Sequence, residues 1–170
     1  AAARRQGPPP PALSPTEIEK VRVTTRDTDP TVRWAAIELL YRLRDPHALQ
    51  LIEDTLTLDT DPDLRQNALS LLQRSKPQNA MKNLLPALRD SEVRIRIAAL
   101  VTLGEVGDAA VTSQIAELLN DSEPSVRLQA LHTLAQIQER KRAEYEALNQ
   151  QLRASYEKQL KQSGSKGRRP

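Results

Sequence analysis

The sequence predicts an all-α fold, a short α-solenoid of about four helix pairs ending in a long C-terminal helix. Three observations predict it. A seven-residue motif recurs four times, as DTDPTVR from Asp27 to Arg33, DTDPDLR from Asp59 to Arg65, DSEVRIR from Asp90 to Arg96 and DSEPSVR from Asp121 to Arg127, with its arginines 32, 31 and 31 residues apart. A small residue and two large apolar ones follow each arginine in register: Ala36/Ala68/Ala99/Ala130, Ile37/Leu69/Leu100/Leu131 and Leu40/Leu72/Leu103/Leu134. No segment shows the sustained period-two alternation of a half-buried strand. Units of this length cannot bury their apolar faces alone, and stacking them in series does so.

The elements follow in order. Residues 1–13 (AAARRQGPPPPAL) contain four consecutive prolines, which remove backbone donors and hold φ near −65°, so they read as an extended Pro-rich arm. Ser14 and Glu17 have the capping-box spacing and predict a degenerate leading helix, a terminal cap or the ragged start of a longer array, with Ile18 and Val21 as its apolar content. The second helix of each pair starts at the repeated motif, where Asp29, Asp61 or Glu123 precedes Pro30, Pro62 or Pro124, an acceptor followed by proline at the first helical position. The third copy has Val93 in place of proline, so its start is less sharply fixed. First helices are expected from Asp45-Pro46, from Lys76-Pro77 and after Gly107-Asp108, with apolar columns Ala48/Ala80/Val111, Ile52/Leu84/Ile115 and Leu56/Leu88/Leu119. The repeated body is thus residues 14–134. After Pro124 neither proline nor glycine occurs before Gly164, and residues 135–162 have high helix propensity, with supporting pairs at Arg142/Glu146 and Glu157/Lys161. One helix of roughly 40 residues, about 60 Å long, is expected there. Residues 163–170 (SGSKGRRP) read as a flexible basic tail.

Composition bounds the chemistry. Lys and Arg total 25 against 22 for Asp and Glu, but residues 1–26 carry 5 basic and 2 acidic side chains, 27–134 carry 11 and 16, and 135–170 carry 9 and 4. The basic character belongs to the ends, and the acidic middle argues against nucleic acid. Absence of cysteine excludes disulfides, zinc-thiolate sites and a catalytic thiol. Two histidines, one Trp, three Tyr and no Phe leave neither a His-rich metal centre nor a platform for stacking bases. No apolar run approaches the roughly 20 residues of a membrane span. The chain opens on Ala, which predicts processing from something longer; the lack of cysteine fits either side of a membrane, with a cytoplasmic location slightly favoured.

The D-x-D-P-x-V-R-x-x-A-x-x-L helix start resembles the short HEAT-like repeats of the phycobilin-lyase type, and Leu103 to Asp108 (LGEVGD) looks like that family's turn between units. The resemblance covers about residues 27–134. It implies the fold, and it maps the family's structural positions onto the Asp/Arg ladder and the Ala/Leu columns. None of the matching positions is a catalytic residue. The family includes chromophore lyases, scaffold subunits and proteins that hold another protein, so function has to come from a site.

Four features compete for that role. The ladder of Asp27, Asp59, Asp90 and Asp121 with Arg33, Arg65, Arg96 and Arg127 reads as cement between repeats, because guanidinium suits bidentate pairing with carboxylate. His47 and His132 are 85 residues apart and in different units, which leaves no paired metal or acid–base role. On the second helices, the positions outside the core columns line up as Trp34/Gln66/Ile97/Leu128, Glu38/Ser70/Val101/His132 and Tyr41/Gln73/Gly104/Ala135. Such a row lines the concave surface of a solenoid, where Trp34, Tyr41, Ile97, Val101 and Leu128 would form a contact patch or be covered by the chain's own arm or terminal helix. On the C-terminal helix, Tyr145, Leu148, Leu152, Tyr156 and Leu160 are spaced 3, 4, 4 and 4, a narrow apolar stripe suited to a partner helix or sheet, or to a cap folded back. No catalytic constellation and no cofactor site is found. The expected function is therefore a non-enzymatic scaffold, a structural or accessory subunit that binds other proteins through concave face, N-terminal arm and C-terminal helix. The alternatives are a lyase-like subunit handling an open-chain tetrapyrrole, implied by the resemblance alone, and nucleic-acid binding through the basic ends.

Overall fold

The computed structural model describes residues 12–75 and 84–166. Most of the Pro-rich arm, the helix start at Lys76-Pro77, the column residue Ala80 and the last four residues of the chain lie outside the described residues. The described residues are helical, with no strand among them, in the helix-pair organisation of a short all-α solenoid. They belong to two compact units, residues 1–77 and 78–170.

The first unit holds α1 (Pro15–Thr24), α2 (Pro30–Arg42), α3 (Ala48–Leu58) and α4 (Pro62–Ser75), each packed on the next. The capping box is present: Ser14 Oγ accepts from the Glu17 amide and Glu17 Oε2 from the Ser14 amide. Asp29 Oδ1 accepts from the amides of Thr31 (2.8 Å) and Val32 (3.2 Å), and Asp61 Oδ1 does the same for Asp63 (2.8 Å) and Leu64 (3.3 Å). These bonds satisfy donors that the first helical turn leaves without partners. Asp45 Oδ1 accepts from the His47 amide, so the first helix of this pair begins at Ala48, after a turn, rather than at Pro46. The link before it contains Arg44 at φ 56°, a left-handed residue following the helix C-terminus. Ala36, Ile37, Leu40, Ala48, Ile52, Leu56, Ala68, Leu69 and Leu72 are buried, as the columns require. Each Leu or Ile removed from water contributes roughly 1.5–3 kcal/mol before conformational entropy is set against it.

The second unit holds a 3₁₀ stretch at Leu85–Arg89, α5 (Val93–Val106), α6 (Thr112–Glu117) and α7 (Pro124–Lys166), with further 3₁₀ turns at Ala109–Val111 and Leu118–Asn120. α5, which has Val93 in place of proline, starts after Glu92 with no side-chain cap. The first helix Thr112–Glu117 is short and passes into a 3₁₀ turn, and this moves one column: Leu118, not Leu119, is buried below Ile115. A 3₁₀ turn advances about 120° per residue, so the third residue on, not the fourth, returns to the buried face. α5 lies along α7, where the Thr133 hydroxyl donates to the Leu100 carbonyl (3.0 Å). Gly104, which fell in the exposed row of the sequence, is buried at this crossing; a β-carbon there would lie 2.5 Å from Gln136 Oε1.

α7 is 43 residues, about 65 Å long at 1.5 Å per residue. It runs through Gly164 to Lys166, four residues past the boundary read from the sequence. A single glycine in a helix costs only about 1 kcal/mol relative to Ala, too little by itself to end one. Of the two expected supporting pairs Arg142–Glu146 forms (3.0 Å), joined by Lys141–Glu144 (2.9 Å), whereas Glu157 and Lys161 do not pair. An exposed pair of this kind contributes only a few tenths of a kcal/mol, so the helix does not depend on it.

Candidate interaction surfaces

The Asp/Arg ladder is built from the helix starts upward. Arg33 donates through Nη1 to the carbonyls of Asp27 (3.0 Å) and Thr28 (3.1 Å), and through Nε and Nη2 to both carboxylate oxygens of Asp59 (3.1 and 2.9 Å). In the second unit Arg96 repeats the arrangement, with Nη1 on Asp90 (2.8 Å) and Ser91 (3.2 Å) carbonyls and its other edge on Asp121 (2.8 and 2.9 Å). Each guanidinium thus anchors on its own turn and grips the aspartate of the following repeat. The Arg96 side chain beside it holds the Asp121 carboxyl below the usual carboxylate range, against the opposing effect of burial. Arg65 and Arg127 anchor on their own turns in the same way, to Asp59 and Asp121 carbonyls respectively. Of the ladder positions read from the sequence, Arg33 with Asp59 and Arg96 with Asp121 thus join one repeat to the next.

Two further clamps carried no sequence signal. Arg22 on α1 donates through Nε (3.1 Å) and Nη2 (2.7 Å) to Asp45 Oδ2 and through Nη1 to Glu19 (2.9 Å). Burial pushes the Asp45 carboxyl up, but Arg22 and the His47 amide outweigh it and leave the group below its ordinary value. Arg140 on α7 donates to the carbonyls of Gly104 (2.9 Å), Glu105 (2.8 Å) and Gly107, capping the C-terminus of α5. Neither belongs to a repeating column, so periodicity could not find it.

The residues read as a contact patch fall in different units. In the first, Trp34 and Tyr41 lie seven residues apart on α2, both half-buried. In the second, Ile97 is half-buried, whereas Val101 on α5 and Leu128 on α7 are exposed. The stripe on α7 is more open: Tyr145, Leu148, Leu152, Tyr156 and Leu160 are all exposed. His47 is exposed with Nδ1 3.2 Å from Asp45 Oδ1, and His132 is exposed on α7. A cleft of about 550 Å³ in the second unit is lined by Leu85, Pro86, Leu88 and Leu118, and its polar lining includes the exposed Arg89–Glu117 pair (3.1 Å). Its lining joins no acid to a base or nucleophile in the way acyl or phosphoryl transfer needs. Among the described residues no group of three or more His, Asp or Glu could hold a metal ion, and no helix is long and apolar enough to cross a membrane.

The comparisons with known proteins bear on the fold. Among curated proteins none matches the chain. Among solved structures the chain is similar to the complex of CpcE and CpcF of phycocyanin lyase from Nostoc sp. PCC7120, at 24% identity and a TM-score of 0.51, over 70% of this chain and 81% of that one. That likeness concerns the fold. The model of HEAT repeats matches residues 14–73 and 81–163, in agreement with the helix pairs. The chain belongs to the HEAT-repeat family.

Proposed function

We propose that this protein is a non-enzymatic scaffold, an accessory subunit that joins a larger assembly chiefly through its C-terminal helix. The observation that carries this reading is the stripe on α7, five large side chains exposed along one face of a helix three times the length of α2 or α5. Side chains of this size, held in register on a helix, match the anchors by which an amphipathic helix lies on a partner helix or sheet. The solved structure it resembles is itself a complex of two chains, which supports a role in protein assembly. The half-buried Trp34 and Tyr41 offer a second, smaller contact on the first unit.

The test compares the full chain with a variant lacking residues 141–170 and with the Leu148→Ser/Leu152→Ser/Leu160→Ser triple variant, by native electrophoresis of extracts and crosslinking with mass spectrometry. Both variants are expected to keep a helical, cooperatively melting body and to migrate apart from the assembly. Normal assembly of the truncated chain would overturn the reading and move attention to Trp34 and Val101. The likeness to a lyase complex favours one other reading, a subunit handling an open-chain tetrapyrrole, which predicts visible absorption in protein purified from its native source.

A further inference from the structure

The second helices carry the ladder arginine at one register and anchor it on their own turns alike, so the two ends can be compared with the interior position by position. On the second helices one face bears the ladder arginine and the two large columns, at i, i+4 and i+7. In the interior this face is closed: Arg96 grips Asp121, and Leu100 and Leu103 are 0% exposed. On α7 the same face is Arg127, Leu131 and Leu134. Arg127 Nη1 sits on the carbonyls of Asp121 (2.7 Å) and Ser122 (3.0 Å), the pose of Arg33 and Arg96, but no carboxylate among the described residues meets its Nε and Nη2 edge. Leu131 is 54% exposed and Leu134 half-buried. The buried column expected from the sequence therefore fails at its last member, because no further repeat among the described residues stacks on it.

The opposite face of the second helices shows the converse. On α7 it is Val126, Thr133 and Ile137, at most 2% exposed against α5. The matching positions on α2 are Val32, Leu39 and Leu43, exposed by 40, 37 and 41%. The aspartate of that first repeat, Asp27, accepts from the Asp29 amide at 2.9 Å, as Asp59 does from Asp61 and Asp121 from Glu123. Asp59 and Asp121 each also receive an arginine from the repeat before; Asp27 receives none among the described residues.

We infer that the C-terminal repeat of one copy stacks on the N-terminal repeat of a second copy, the Arg127 fork closing on Asp27 and Leu131 and Leu134 packing against the Val32/Leu39/Leu43 face. The contact repeats the interior junction with the chain connection removed. Both halves are pre-oriented, the guanidinium by its carbonyl anchors and the carboxylate by its turn amide, which lowers the ordering cost of association. Because the two surfaces differ, the contact is heterologous and extends head to tail unless it closes into a ring. It does not involve the α7 stripe, so it stands apart from the proposed partner of that helix.

The test is a complementation by sedimentation equilibrium on the purified full chain. The wild type should show mass rising with concentration. Leu131→Asp, which spoils the trailing face, and Leu39→Asp, which spoils the leading face, alter exposed side chains; each alone should be monomeric, with helicity and melting unchanged. Mixed, they should form a 1:1 dimer and nothing larger, since each retains the face the other lacks. Arg127→Ala should weaken wild-type association about tenfold or more, as loss of charged hydrogen bonds does. A monomeric wild type, whether its end faces are taken by its own N-terminal segment or by another protein's repeat, overturns the inference. So does a mixture that stays monomeric, or undiminished association of Leu131→Asp alone, which would locate self-contact away from the Arg127/Leu131/Leu134 face, at the apolar stripe of residues 145–160.

Discussion

Replacing Arg96 by alanine tests the ladder with an internal control. The side chain makes four hydrogen bonds, two to the Asp121 carboxylate and two to carbonyls of its own turn, and both partners of the ion pair are only 11 and 12% exposed. Breaking a fully buried pair by removing one partner costs about 3–5 kcal/mol, whereas exposed pairs contribute about 0–1 kcal/mol. The Arg96 junction retains some contact with water, and Asp121 keeps its bond from the Glu123 amide, so a loss of about 2–3 kcal/mol is expected. For a chain of 170 residues that corresponds to a melting temperature lower by about 4–12 °C. Arg127→Ala, measured at high dilution, removes the same two kinds of carbonyl bond but no ion pair and should cost about 1 kcal/mol. The difference between the two variants isolates the fork. Its pH dependence has a definite sign. Arg96 depresses the folded pKa of Asp121, so the stabilisation is complete above the unfolded carboxylate pKa of about 4 and disappears as pH falls through the lower folded value. The gap between wild type and Arg96→Ala should therefore narrow in acid. Thermal melts followed by circular dichroism at neutral and acid pH decide it. Equal losses in the two variants, or a gap that widens below pH 4, would refute the assignment.

Other positions give sharper local expectations, read by chemical denaturation or by amide exchange. Gly104→Ala should be within about 1 kcal/mol of wild type, since the close atom is the movable end of Gln136 and alanine favours the helix; Gly104→Leu should cost about 1–3 kcal/mol by overfilling the crossing. Ser14→Ala removes the capping box and should cost about 1 kcal/mol, detected as faster amide exchange in α1. Arg44→Gly should stabilise by up to about 1 kcal/mol, because the left-handed φ of 56° strains any side chain there. Arg140→Ala should loosen the end of α5, with exchange quickening at Val106 and Gly107 rather than along α7.

What could be read from the sequence was whatever repeats. The helix pairs, the caps at Asp29 and Asp61, and the ladder all follow from a motif at fixed spacing, because the same local energetics act at each copy; the cap at Ser14 was legible from its own capping-box spacing to Glu17. Leu131 shows where such reasoning stops: its residue type matches Leu100, but burial is a property of what stacks upon it, and no further repeat among the described residues covers Leu131. Leu118 displaced Leu119 for a different reason, a 3₁₀ turn whose winding the apolar pattern alone does not reveal. Gly104 looked like a gap in a surface row and is instead the place where two helices approach. Arg22 and Arg140 occur once each, and a clamp that occurs once leaves no period. The α7 stripe was legible because a helix with no breaker before Gly164 keeps its spacing to the end.

The length of α7 also sets a mechanical scale. From Arg140, where its side chain grips the end of α5, to Lys166 the helix extends about 40 Å. A rod of that reach converts a 10° tilt at its base into about 7 Å of travel at its tip, so small rearrangements at the Gly104 crossing would be magnified into motions of a size that fluorescence energy transfer resolves.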